Sequence, residues 1–99
     1  MSELMYLPEV RCEVSEGLRD TEVTVCVRDE NDFRQFMQVT RSMVNLHGET
    51  SYLPVGIIQV DRKARRVLIE LPTEADSGVN RMWMPFDSFL VEQEAEQLA

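Results

Sequence analysis

Residues 21–27, TEVTVCV, place Val23, Val25 and Val27 on one side of an extended chain and Glu22, Thr24 and Cys26 on the other. No helix accommodates that arrangement, because its faces repeat every 3.6 residues and would scatter the three valines. The β-branched residues also favour a pleated, half-buried surface. The stretch therefore requires strand partners, and its inward face requires a core.

Partners are found on both sides in sequence. VRCEV, between the breakers Pro8 and Gly17, reads as a short strand. YLPVGIIQV at 52–60 and RRVLIELP at 65–72 read as two strands joined by DRKA, at hairpin spacing. Pro54 confines the start of the first to an edge, and Gly56 marks a bulge or a close backbone approach. RMWMPF is a short final strand, and FDSFL a single tight turn capped by Asp87 or Ser88. NLHGETS and TEADSGVN are loops. Alternation selects Val23, Val25, Ile57, Val67, Ile69 and Leu71 as core.

The segment 28–44 admits two readings. As a hairpin, DEND is the turn and FRQFMQV the returning strand, with Phe33, Met37 and Val39 on one side. As a helix over about 30–44, Phe33, Phe36, Met37, Thr40, Met43 and Val44 form an apolar stripe. The hairpin is preferred, because strand 21–27 otherwise keeps an unpaired edge. The expected fold is mainly β: five to six antiparallel strands in a small barrel or a strongly bent sheet, with a short C-terminal helical turn. The helical reading of 30–44 gives an α+β domain instead. The nearest architecture is an SH3-like barrel.

Ninety-nine residues suit one domain, assigned to 1–91, with 92–99 an acidic tail that frays. No apolar run approaches the roughly 20 residues of a membrane span. The start, MSELMYLPEV, lacks a basic n-region, so a cytoplasmic protein is expected. Cys12 and Cys26 have no CxxC spacing and are expected to be free thiols, a bridge between neighbouring strands being the alternative. The net charge of −8 is unevenly placed. Residues 1–32 carry nine acids and three arginines, residues 33–66 two acids and six bases, and residues 67–99 seven acids and one arginine. A basic middle between acidic ends points to ion pairs across strands.

The chemistry-bearing motifs are sparse. Ser77 beside Asp76, with His47 elsewhere, lacks the strand–GxSxG–helix setting of a hydrolase, and no catalytic residue is assigned. One His and two separated Cys make no metal site, no glycine-rich phosphate loop is present, and no cofactor is expected. The expected function is a non-catalytic binding or assembly module for a protein or peptide. It would use a shallow apolar surface near the 74–86 loop and strand, formed by Tyr52, Arg81, Met82, Trp83, Met84 and Phe86. Arg81 would orient the loop by pairing with Asp76 or Glu74. The alternative is an anion or nucleic-acid site on the hairpin tip, at Arg62, Lys63, Arg65 and Arg66. Nucleic acid is not expected at this net charge, no membrane partner is expected, and weak self-association is the remaining oligomeric expectation.

Overall fold

A computed structural model describes residues 8–89. They form eight strands, β1 (Glu9–Glu16), β2 (Glu22–Arg28), β3 (Arg34–Thr40), β4 (Asn45–His47), β5 (Thr50–Pro54), β6 (Gly56–Asp61), β7 (Arg66–Glu70) and β8 (Arg81–Pro85). Single 3-10 turns follow β3 at Arg41–Met43 and β8 at Phe86–Ser88. The strands lie in two antiparallel sheets, ordered β3-β2-β1-β5-β4 and β6-β7-β8. The mainly β expectation holds, with eight strands in place of five or six. The expected tail at 92–99 lies outside the described residues. Among the described residues no helix is long and apolar enough to cross a membrane.

The extra strands have simple physical origins. YLPVGIIQV is not one strand: it breaks at Val55, and its halves join different sheets. Pro54 has no N–H for a ladder, whereas the Val55 N–H bonds the Pro8 carbonyl at 3.0 Å. The second extra strand, β4, falls in the expected loop NLHGETS. It pairs three residues with β5 before Gly48 turns the chain at φ 67°.

Segment 28–44 is the hairpin. The Asp29 carboxylate accepts the N–H groups of Asn31 and Phe33 at 2.8 and 3.0 Å, and Asp32 takes the left-handed conformation at φ 67°. An Asx turn of this kind stops a helix from starting and reverses the chain. β3 then pairs with β2 over seven rungs, from Glu22↔Thr40 to Arg28↔Arg34. Met37 and Val39 point inward as expected, but Phe33 is 65% exposed. It belongs to the turn, one residue before the strand, so the strand's alternation does not govern it.

The core joins Val10 and Cys12 of β1, the three valines of β2, Leu53 and Val55 near the break, and Val67 and Ile69 of β7. Met37 and Val39 of β3, with Leu71, Ala75, Met82, Met84, Phe86 and Phe89, complete it. Five of the six expected core residues are buried. Ile57 is only partly so, because β6 is the outer strand of its sheet and packs against the core from one side.

Three of the four sheet edges are blunted. β3 is covered where the Asp76 N–H bonds the Phe36 carbonyl at 2.8 Å and the Ser77 hydroxyl donates to Gln35 at 2.6 Å. β4 is three residues long, and β6 carries a bulge between Ile57 and Gln59. All three devices discourage pairing with another chain.

The β1–β2 turn generates a prediction. A Cβ on Gly17 would overlap the Glu22 carbonyl, whereas one on Gly56 would meet the Glu70 Cβ at an ordinary 3.6 Å. Gly17→Ala should lower stability by about 1–3 kcal/mol, the usual cost of forcing atoms into filled space. Gly56→Ala should leave the urea midpoint nearly unchanged. Equal midpoints for the two variants would contradict the close approach at Gly17.

Candidate functional site

β1 divides its hydrogen bonding. Its first half pairs with β5, from Glu9↔Pro54 to Cys12↔Ser51. Its second half pairs with β2, from Glu13↔Cys26 to Glu16↔Val23. At Glu13 the β1–β2 ladder therefore ends, while β2 continues beside β3 to Arg28. The strands part, and a cleft of about 460 Å³ opens between them. Arg11, Cys12 and Glu13 line one wall, and Cys26, Arg28, Asp29, Glu30 and Asp32 the other. The third wall is Pro85, Asp87 and Ser88. That segment is held in place by a bridge between Phe89 and Val10, on the side of β1 that β2 has left.

Carboxylates dominate the lining, with five against the guanidiniums of Arg11 and Arg28. Arg28 is held at 3.2 Å by Asp32 and at 3.7 Å by Glu13. The Asp32 hydrogen bond, with the charge of Asp32 and Glu13 behind it, raises the Arg28 pKa further. Arg11 and Asp87 have no ion-pair partner among the described residues. Burial pushes the Cys12 thiol up to about 12, with the neighbouring Cys26 and Glu13 adding to it. Cys26 is raised in the same direction by burial and by Glu13. Both thiols are free, so the alternative of a bridge is not realised. Among the described residues no three His, Cys, Asp or Glu side chains gather closely enough to hold a metal ion.

Beside the cleft, Arg66 fastens the two sheets together. Its guanidinium meets both oxygens of Glu30 at 2.9 and 3.1 Å and one of Asp61 at 3.4 Å. It also lies 4.1 Å over the Trp83 ring. Arg66 opposes Pro85 across β7 and β8, so Trp83 is its diagonal neighbour on the same face. The Glu30 N–H bonds the Trp83 carbonyl at 2.9 Å, so one turn residue grips β8 by backbone and β7 by side chain. The Glu30 hydrogen bond raises the Arg66 pKa, and the Ala64 N–H lowers that of Asp61.

This arrangement buries most of the residues expected from sequence to form a surface. Met82 and Met84 oppose Ile69 and Val67, whose inward orientation fixes theirs. Both methionines are buried, as are Phe86 and Tyr52, so four of the six expected partner-binding residues cannot meet a partner on the folded surface. Trp83 lies on the outer face, half-buried under Arg66. Arg81 is exposed and makes no ion pair with Asp76 or Glu74. The loop is instead ordered by its own backbone, with the Ala75 N–H bonding Val79 and the Gly78 N–H bonding Ala75, both at 2.8 Å. Gly78 turns at φ 93°, a conformation that glycine adopts freely. Phe86–Ser88 has no side-chain cap, so Asp87 and Ser88 do not act as the expected caps and belong to the cleft.

The basic tip does not present four side chains together. Arg62 and Lys63 are exposed, Arg65 lies 4.9 Å over Phe86, and Arg66 is held by its carboxylates. Ser77 and His47 are engaged separately, Ser77 with Gln35 and His47 with Glu9 at 3.1 Å. None of the cleft residues was among the candidates read from sequence. DEND and FDS lie more than fifty positions apart, and only the topology brings them together. Comparison with protein-family models, with curated proteins and with solved structures finds no significant match.

Two outcomes are expected. Arg66→Met removes three hydrogen bonds and the cation on Trp83, and should lower Tm and shift the tryptophan emission; Arg66→Lys keeps the charge but not the two-pronged grip and should fall between. Unchanged emission in both variants would contradict the stack. For Cys12, the folded pKa lies above the ordinary 9.0, so its contribution is complete below that pH and is lost as pH rises toward about 12. Urea unfolding above pH 9.0 should show wild type losing about 1.4 kcal/mol per pH unit more than Cys12→Val. Parallel pH profiles would mean that the thiol ionises freely in the folded protein.

Proposed function

We propose that this chain is a non-catalytic protein-binding module and that its docking site is the cleft between β1 and β2. The observation that carries the reading is the parting of two rigid strands around a charged recess, closed on its third side by the 85–88 segment. Strands hold the walls in a fixed geometry, which lowers the ordering cost of binding. The rim is charged and exposed, with Glu13 and Asp32 side chains 66% and 75% accessible, while Cys12, Cys26 and Ser88 lie below. Charged rims favour fast, selective encounter with a complementary partner. Two unbridged thiols suit a reducing compartment, and we place the module in the cytoplasm on that ground.

The reading is tested by capture from the native host. Glu13→Lys with Asp87→Lys reverses two charges at the cleft, and Asp20→Lys with Glu49→Lys reverses two exposed charges elsewhere. With circular dichroism unchanged, the cleft pair should lose the partners that wild type and the control pair retain. Partners kept by both variants, or lost equally by both, would remove the cleft from the binding surface.

A further inference from the structure

We infer that the second half of the outer edge of β3 is a self-association surface, and that its occupant is a second copy of this chain, paired antiparallel about a two-fold axis at Val39. The hydrogen bonding fixes which groups are open. At the two ends of the β2–β3 pairing, the Asp29 N–H bonds the Phe33 carbonyl and the Arg41 N–H bonds the Thr21 carbonyl. Bonded pairs alternate along an antiparallel ladder. Gln35, Met37 and Val39 therefore turn their N–H and C=O groups toward β2, and Arg34, Phe36, Gln38 and Thr40 turn theirs outward. The Phe36 carbonyl is taken by the Asp76 N–H. The four backbone groups of Gln38 and Thr40 have no partner among the described residues.

The bounds of this edge select the occupant. The loop between β7 and β8 blocks it at Phe36, and β3 ends at Thr40, where the chain turns off through Arg41–Met43. A long partner strand would run into the loop, whereas a second β3 leaves the line after its own Thr40. Setting Gln38 against Thr40 of the second copy, and Thr40 against its Gln38, closes all four open groups of each chain, and a two-fold contact does not propagate. The Gln38 side chain is an independent pointer. Its Nε2 donates to Thr24 Oγ1 at 2.7 Å, whereas its Oε1 is buried with no hydrogen-bond partner among the described residues. Thr40 of the second copy stands opposite Gln38 on that face, and its exposed hydroxyl reaches Oε1 after a small rotation of the amide. Phe36, 43% exposed on the same face, becomes the diagonal neighbour of that threonine. Two rungs bury far less than the roughly 800 Å² per partner of a stable interface, so the dimer is weak. Each chain carries −8, so salt strengthens it.

The test is sedimentation velocity of the full chain at rising concentration, in low and high salt. Wild type is expected to move reversibly from monomer to dimer, and further so in high salt. Thr40→Pro suits the native φ of −60° and removes an outward N–H. It should keep the circular dichroism spectrum and weaken dimerisation by about tenfold or more, through two lost hydrogen bonds per dimer. Leu46→Lys, at an exposed apolar residue elsewhere, should dimerise as wild type does. Amide hydrogen exchange gives a reading that needs no variant: the Gln38 and Thr40 N–H groups should exchange more slowly as wild-type concentration rises. A wild type that stays monomeric at every concentration, a Thr40→Pro chain that dimerises undiminished, or exchange at both amides that ignores concentration would overturn the pairing. Loss of the dimer in Leu46→Lys would place the contact on another surface and overturn it as well.

Discussion

The rest of the structure follows from the way β1 shares its backbone bonds. A strand can serve two neighbours at full length only if the sheet stays regular. Here β1 gives residues 9–12 to β5 and residues 13–16 to β2. Each half is therefore unpartnered on one side. Near Val10 the vacancy is filled by Phe89, which brings the end of the second sheet against the first. Near Val14 no described residue fills it, and a valine on the same face as fully buried Val25 is left 41% exposed among the described residues. The cleft is the remaining part of the same vacancy, between the Phe89 bridge and the last β1–β2 rung.

Two sheets joined by so few backbone bonds need side chains to fix their relation. Arg66 supplies this with two carboxylates and an aromatic face, all partly solvated. Single exposed ion pairs contribute little, but a guanidinium that reaches Glu30 through Nη1 and Asp61 through Nε, with its face on a ring, is geometrically specific. It also explains the charge distribution. A base from the middle of the chain meets Glu30 from the acidic first third, as the sequence led one to expect. Glu9 engages Asn45 and His47 in the same sense, at 3.0 and 3.1 Å.

The position of Trp83 illustrates how neighbouring strands override residue type. Judged alone, tryptophan is the larger apolar group and the natural core residue in RMWMPF. Yet β7 directs Val67 and Ile69 inward, and antiparallel pairing gives Met84 and Met82 the same direction. Trp83 must then face outward, where Arg66 covers it. The adaptable methionines fill the interior, so the stretch that looks most like a binding surface in sequence is largely core.

By itself the sequence determined the strands and turns whose signals are local. Alternation marked β2 and β7, the acidic DEND marked a reversal because Asp29 can bond the backbone two and four residues on, and Gly78 marked a left-handed turn. These depend on contacts within a few residues, which the chain carries wherever it goes. Only the tertiary structure decided the break at Val55, the partial burial of Ile57, the outward face of Trp83 and the meeting of Asp29 and Asp32 with Asp87 and Ser88. Each of these depends on which strand lies alongside and where a ladder stops. That is set by the best joint packing of residues far apart in the chain, and no local pattern encodes it.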